Sequence, residues 1–212
     1  MELCRVVESL TRLYAEQATT SYEKALYLES VLERNKPPLL YPEWNPLIAT
    51  PFRYPLPVAP AYQARFRPPF FEKNVLYASR ELRTCLYEHA YHFLFERHHL
   101  KAIRESGQRN AFILFLNTTP TDIHHHPDLR AIMNRHDYAP SHAYIRKNPV
   151  TDSLLYPSCR DPQQGDNVAI FTIECLAKNI GTEKTLFYYF DPKQLSIAWM
   201  DFNLTIAWKE VS

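Results

Sequence analysis

The stretch Asn74-Val75-Leu76-Tyr77-Ala78-Ser79-Arg80-Glu81-Leu82-Arg83-Thr84-Cys85-Leu86-Tyr87-Glu88-His89-Ala90-Tyr91-His92-Phe93-Leu94 carries the change of hydrophobic period on which the fold turns. Asn74 to Tyr77 reads as a short strand. Ser79 is placed to cap a following helix, and Glu81 sits near its positive end, so the pattern predicts a long helix to about Ser106. Leu82, Cys85, Leu86, Ala90, Phe93 and Leu94 form its apolar stripe. Glu88 lies three residues from Cys85, on the edge of that stripe, a position that suits a partly desolvated carboxylate.

Downstream the period changes to that of strands. Ala111 to Asn117, Val168 to Glu174, Leu186 to Phe190, Ser196 to Met200 and Asn203 to Trp208 are rich in β-branched and aromatic residues. A short helical candidate runs from Ser141 to Lys147. Upstream, Leu3, Val6, Val7, Leu10, Leu13 and Tyr14, then Ala25, Leu26, Leu28, Val31 and Leu32, are spaced as a helical pair ending at Lys36-Pro37-Pro38, with Thr20 and Glu23 in capping-box form. Ten prolines between Pro37 and Pro69 forbid a long helix there and predict extended chain and turns. Within them Arg65-Phe66-Arg67, if extended, points both arginines to one face. Helices come early and strands late, which predicts an α+β fold. No flexible linker divides the chain, so residues 1–45 are expected to be a helical extension packed on a single unit, 46–212.

Composition removes several kinds of site. Only three glycines occur in 212 residues (Gly107, Gly165, Gly181), too far apart for a phosphate-binding loop, a dinucleotide fingerprint or a nucleophile elbow. A phosphate-handling protein of this composition must use side chains. Lys and Arg total 24 against 23 Asp and Glu, so no basic field marks direct nucleic-acid binding. The four cysteines lack zinc spacing and read as reduced thiols of a cytoplasmic protein. No apolar run approaches the roughly 20 residues needed to span a bilayer, so no membrane association is expected. His124-His125-His126, with His136 and His142, raises the alternative of a metal-dependent hydrolase. Adjacent histidines do not readily converge on one ion, and no metal is expected.

A set of separated segments resembles the RES-domain family. They are Thr50-Pro51-Phe52-Arg53-Tyr54-Pro55, Ala64-Arg65-Phe66-Arg67-Pro68-Pro69, Val75-Leu76-Tyr77-Ala78-Ser79, Glu88-His89-Ala90, Leu155-Tyr156-Pro157-Ser158-Cys159-Arg160 and Asn167-Val168-Ala169-Ile170-Phe171. They span about Leu47 to Phe171 in the family's order, and Ala25 to Pro38 resembles the helical extension of its longer members. The resemblance implies an ADP-ribosyltransferase-like mixed sheet and a toxin of a bacterial toxin–antitoxin pair that depletes NAD. The activity implied is that of an NAD phosphorylase or NAD glycohydrolase, with NAD as substrate, inorganic phosphate or water as acceptor and no further cofactor. The partner implied is a helix-turn-helix antitoxin.

Carried onto this chain, the resemblance implies catalytic roles for Glu88, Arg65 and Tyr77 and substrate binding by Arg53 and Ser158; Arg67, which stands where the family commonly has asparagine, and Arg160, which follows the serine, are expected to assist in substrate binding. Cleavage of the nicotinamide–ribose bond develops oxocarbenium-like charge, which a carboxylate at Glu88 would stabilise. Arginine forks suit a pyrophosphate where no glycine loop exists. Tyr77 could stack on nicotinamide, and Ser158 could give a hydroxyl to a phosphate or ribose oxygen. His89 and His92 stand close enough in sequence to tune Glu88 or meet a phosphate. Gln63-Ala64 replaces the paired glycine common in the family, and Arg-Phe replaces Arg-Trp. Transfer of ADP-ribose to a protein and a non-catalytic scaffold for an antitoxin are the alternatives.

Overall fold

The computed structural model describes residues 1–8, 21–97, 105–148 and 152–212. Its strands are β1 (Glu2–Glu8), β2 (Leu76–Ser79), β3 (Glu105–Phe115), β4 (Thr121–Asp122), β5 (Ser153–Pro157), β6 (Asp166–Ile170), β7 (Glu183–Asp191), β8 (Ser196–Trp199) and β9 (Leu204–Ala207). Its helices are α1 (Tyr22–Arg34), α2 (Pro46–Ala49), α3 (Leu82–Arg97), α4 (Leu129–Ile132), α5 (Ala139–Lys147) and α6 (Trp208–Val211). The strands form one nine-stranded sheet in the order β4-β5-β6-β2-β1-β3-β7-β8-β9. Only β4 and β5 run parallel; every other pair is antiparallel. The α+β class expected from the sequence is the one found.

Alternation along the strands sorts side chains onto two faces. Leu3, Leu76, Ala78, Phe112, Leu114, Val168 and Ile170 pack against Trp44, Ile48, Ala49 and Phe52 from α2 and the proline-rich segment. On the other face Ala111, Leu186, Tyr188 and Phe190 meet Leu86, Tyr87, Ala90, Phe93 and Leu94 of α3. Beside α3, Phe66, Ile132 and Ile145 cover Leu154, Tyr156 and Ala169. A large apolar side chain fully removed from water contributes about 1.5–3 kcal/mol, so the α3 stripe alone is a major anchor.

The N-terminal segment departs from the expected helical pair. Glu2–Glu8 is a strand at the centre of the sheet, paired with β3 from Glu2–Phe115 to Glu8–Arg109. Leu3, Val6 and Val7 have helical spacing, but the strand is covered on both faces, so Leu3 and Val7 pack on one side and Val6 on the other, and pairing with β3 decides the outcome. Leu10, Leu13, Tyr14 and Thr20 lie outside the described residues. The second arm is helical, as α1, but its cap is Ser21, whose Oγ accepts the Lys24 amide. Residues 1–45 are therefore not a purely helical extension, because β1 is integral to the sheet.

Other boundaries also move. Ser79 ends β2 and does not cap α3; its hydroxyl donates to Asn167 instead, 2.6 Å away. The described part of α3 closes at Arg97, and Ser106 already belongs to β3. The strand β5 was not anticipated. Arg65-Phe66-Arg67 is a tight turn, since Ala64 and Arg67 exchange both backbone hydrogen bonds at 2.9–3.0 Å. The two arginines consequently leave in different directions. The turn is built without a left-handed residue, and none of the glycines takes positive φ; that backbone falls to Phe70, Gln164, Leu195 and Asn203.

Candidate active site

A cavity of about 280 Å³ opens beside α3, over the seam where β1 and β2 share one bridged pair, Cys4 with Ser79. Glu88, Tyr77, Arg65 and Arg160 all line it, together with Arg5, His89, His92, Tyr138, Cys159 and Asn167. Its size is at the lower edge of the ~300–1,000 Å³ typical of small-molecule sites. A cavity of this size encloses one end of an extended ligand rather than the whole of it.

Glu88 reaches the cavity from the second turn of α3, and the start of that helix is clamped to the loop after β5. Asp161, 2% exposed, pairs with Arg83 and accepts the Thr84 hydroxyl at 2.8 Å. Gly165 permits this approach, because a Cβ there would stand 2.1 Å from Thr84 Oγ1. Ser158 heads the same loop and is 2% exposed. Its Oγ accepts the amides of Arg160 at 3.1 Å and Asp161 at 3.0 Å, and donates to Glu88 Oε1 at 2.6 Å. A hydroxyl has one proton and two lone pairs, so Ser158 is saturated by the protein. The expectation that it supplies a hydroxyl to substrate gives way to a different role, holding the carboxylate. Asn167 Nδ2 donates to the same Glu88 oxygen at 2.6 Å. Oε2 has no partner among the described residues.

The cationic side chains of the cavity are held by neutral acceptors. Arg65 Nη1 donates to the carbonyls of Ile132 (3.0 Å) and Asn134 (2.8 Å), Nη2 to Cys159 Sγ (3.0 Å), and the guanidinium lies over the Tyr138 ring. Arg160 donates to the carbonyls of Val211 (2.6 Å) and Arg135 (2.8 Å) and stacks 3.6 Å from the Tyr91 ring centroid. Arg5 Nη1 bonds the Tyr77 carbonyl at 2.8 Å, while its Nε is buried without a partner. None of the three forms an ion pair among the described residues.

The cavity histidines add no positive charge to that of the arginines. Burial, reinforced by the Arg109 guanidinium, lowers His89 to about 3, and Arg109 Nε donates to its Nε2. Burial also lowers His92. Burial pushes Tyr77 well up, so its phenol stays protonated and keeps a proton to donate while accepting the Phe66 amide at 3.2 Å. Burial raises the Cys159 thiol too, outweighing Arg65 beside it, as an inert cysteine requires.

Two expected substrate binders lie elsewhere. Arg53 is 6% exposed and bonds Glu33 Oε1 at 2.7 Å and the Pro37 carbonyl, tying α1 to the proline-rich segment. Arg67 bonds the carbonyl of Tyr62, just ahead of its turn. Neither lines the cavity. The histidine run does not converge either: His124 sits between Asp122 and Asp166, and His126 faces Tyr144 and accepts the Asp128 amide. Among the described residues no group of three or more His, Cys, Asp or Glu is arranged to hold a metal ion. No described helix is long and apolar enough to cross a membrane.

Arg5 and the roles of Asn167 and Ser79 were not foreseen. An arginine within an apolar run is a weak signal, and Asn167 reaches Glu88 only because β6 pairs with β2. Compared with known families, the RES domain model matches residues 39–189. No curated protein matches the chain.

Proposed function

This chain belongs to the RES-domain family, whose members are generally linked to toxin–antitoxin systems and NAD-related chemistry, and from that premise we propose that it destroys NAD by cleaving the nicotinamide–ribose bond. The observation that supports this reading most is the charge balance of the cavity. Arg5, Arg65 and Arg160 face a single carboxylate, Glu88, with both histidines held neutral near pH 7. Glu88 answers the positive charge of the nicotinamide–ribose end, and the arginines answer the two negative charges of the pyrophosphate. In a partly desolvated cleft such charges act more strongly than in water.

In the proposed reaction the bond between ribose C1′ and the pyridinium nitrogen breaks, and nicotinamide leaves neutral with the bonding pair. Positive charge develops on the ribose, beside Glu88 Oε2. A phosphate oxygen or water then bonds C1′, the latter losing its proton to solvent. The arginines hold the pyrophosphate, and the protonated Tyr77 hydroxyl orients the ribose or the carboxamide. Removing one preorganised electrostatic group of this kind typically costs about 100- to 1000-fold in rate.

The test is to incubate the purified protein with NAD, with and without phosphate, and follow nicotinamide release alongside the phosphorylated or hydrolysed ADP-ribose. Release by the wild type and a loss of two to three orders of magnitude in Glu88→Gln are expected. Absence of release by the wild type, or equal release by the variant, overturns the proposal. Label left on a macromolecule would indicate transfer to protein instead.

A further inference from the structure

Glu88 offers Oε1 to two donors, Ser158 and Asn167, each at 2.6 Å. Ser158 belongs to a loop braced against α3, so its contact is accounted for by the packing of that loop. Asn167 is different. It is 3% exposed, on β6, directly opposite Ser79 of β2 in the register of the sheet. Ser79, 2% exposed, donates its hydroxyl to Asn167 Oδ1 at 2.6 Å. A carboxylate only accepts, so the nitrogen of the amide must face Glu88, and the oxygen is left for Ser79. The Glu88 contact fixes the amide orientation, and the Ser79 hydroxyl, able to donate or accept, donates to the oxygen so placed.

We propose that Asn167 is the positioning residue of the cavity carboxylate: it holds Glu88 Oε1, turns Oε2 toward the substrate, and is itself oriented by Ser79. The inference rests on the NAD-cleaving reading for its consequence in catalysis, but the arrangement it describes does not. Side chains from the rigid centre of the sheet set the direction of a carboxylate on a helix, and preorganisation of this kind is what an electrostatic stabiliser requires. Asn167 touches no reacting atom in this role.

The experiment is a pair of double-mutant cycles on the full chain. In NAD cleavage, Asn167→Ala is expected to lower kcat about 10- to 100-fold, as for loss of a hydrogen bond to a charged group, with KM little changed. In the Glu88→Gln background the same substitution should add no more than about twofold, because a residue acting through Glu88 has nothing left to act on. Ser79→Ala should lower kcat in the same direction, and Ser79→Thr, which keeps the hydroxyl, should restore it. Should Asn167→Ala fail to fold, the Ser79 pair reads the same arrangement.

The second cycle measures urea unfolding midpoints for Asn167→Ala, Glu88→Ala and the double variant, and needs no substrate. Coupled, non-additive losses are expected. Additive losses in unfolding overturn the positioning role whatever the protein does to NAD. A wild type that releases no nicotinamide but shows coupled unfolding removes the NAD reading and leaves the Asn167–Glu88 arrangement standing. An active wild type with additive losses in kcat removes the positioning role and leaves the NAD reading standing.

Discussion

Ser158 Oγ and Glu88 Oε1 are 2.6 Å apart across 70 residues of chain, and the serine's only proton lies between them. The serine therefore holds the carboxylate. Ser158→Ala is expected to reduce kcat for NAD cleavage while leaving KM nearly unchanged. It should also lower stability by about 1–3 kcal/mol for each of the two amides that lose their acceptor. Steady-state kinetics and urea denaturation read both effects. A tenfold rise in KM at intact kcat would return Ser158 to the substrate.

Arg53 and Arg65 should separate in the same assays. Arg53→Met is expected to cost about 1–3 kcal/mol of stability, because a buried guanidinium contact to Glu33 and Pro37 is lost, with KM for NAD unaltered. Arg65→Met should reduce kcat/KM by about 100-fold or more, the loss of a charged contact in a partly desolvated site. Equal effects of the two on KM would place Arg53 in the site.

Gly165→Ala tests the clamp between the loop and α3. The new methyl would stand 2.1 Å from Thr84 Oγ1, on a stiff β-branched side chain already bonded to Asp161. The expected cost is about 1–3 kcal/mol in urea denaturation. Part of it should return in Gly165→Ala/Thr84→Ala, which removes the struck atom. A neutral Gly165→Ala would show that the loop does not need this close approach.

Acid should loosen the fold through His89. Its pKa is lowered to about 3, so from the ordinary value near 6.5 down to that point the unfolded chain binds a proton that the folded chain refuses. The contribution of His89 is complete above about pH 6.5 and is lost as pH falls, by at most about 1.4 kcal/mol per pH unit. His89→Gln, which keeps an acceptor for Arg109, should flatten the decline in urea midpoint between about pH 7 and about pH 5. Parallel slopes for the two proteins would show that His89 takes its proton without unfolding.

Much of the cavity's lining is legible in the sequence. Glu88, Arg65, Tyr77 and Arg160 were singled out from motifs in order, and all four line one cavity. Arg53, aligned with a family arginine, and Arg67, standing where the family commonly has asparagine, do not line the cavity, because residue type does not say where a side chain goes after a turn. The Ala64–Arg67 backbone exchange sends Arg65 inward and leaves Arg67 on Tyr62. Asn167 stands in one of the family segments, yet its contact with Glu88, like the place of Arg5, depends on strand pairing between segments distant in sequence.

By itself the sequence determined the α+β class, the apolar stripe of α3 with Glu88 at its edge, and the exclusion of a glycine-built phosphate cradle. Those properties follow from period and composition, which are local. Tertiary structure alone decided that Glu2–Glu8 is a central strand, that Ser79 faces Asn167 rather than capping a helix, and that Ser158 is spent on Glu88. Each of these depends on which distant segment satisfies a backbone or side-chain hydrogen bond, and spacing along the chain does not encode that choice.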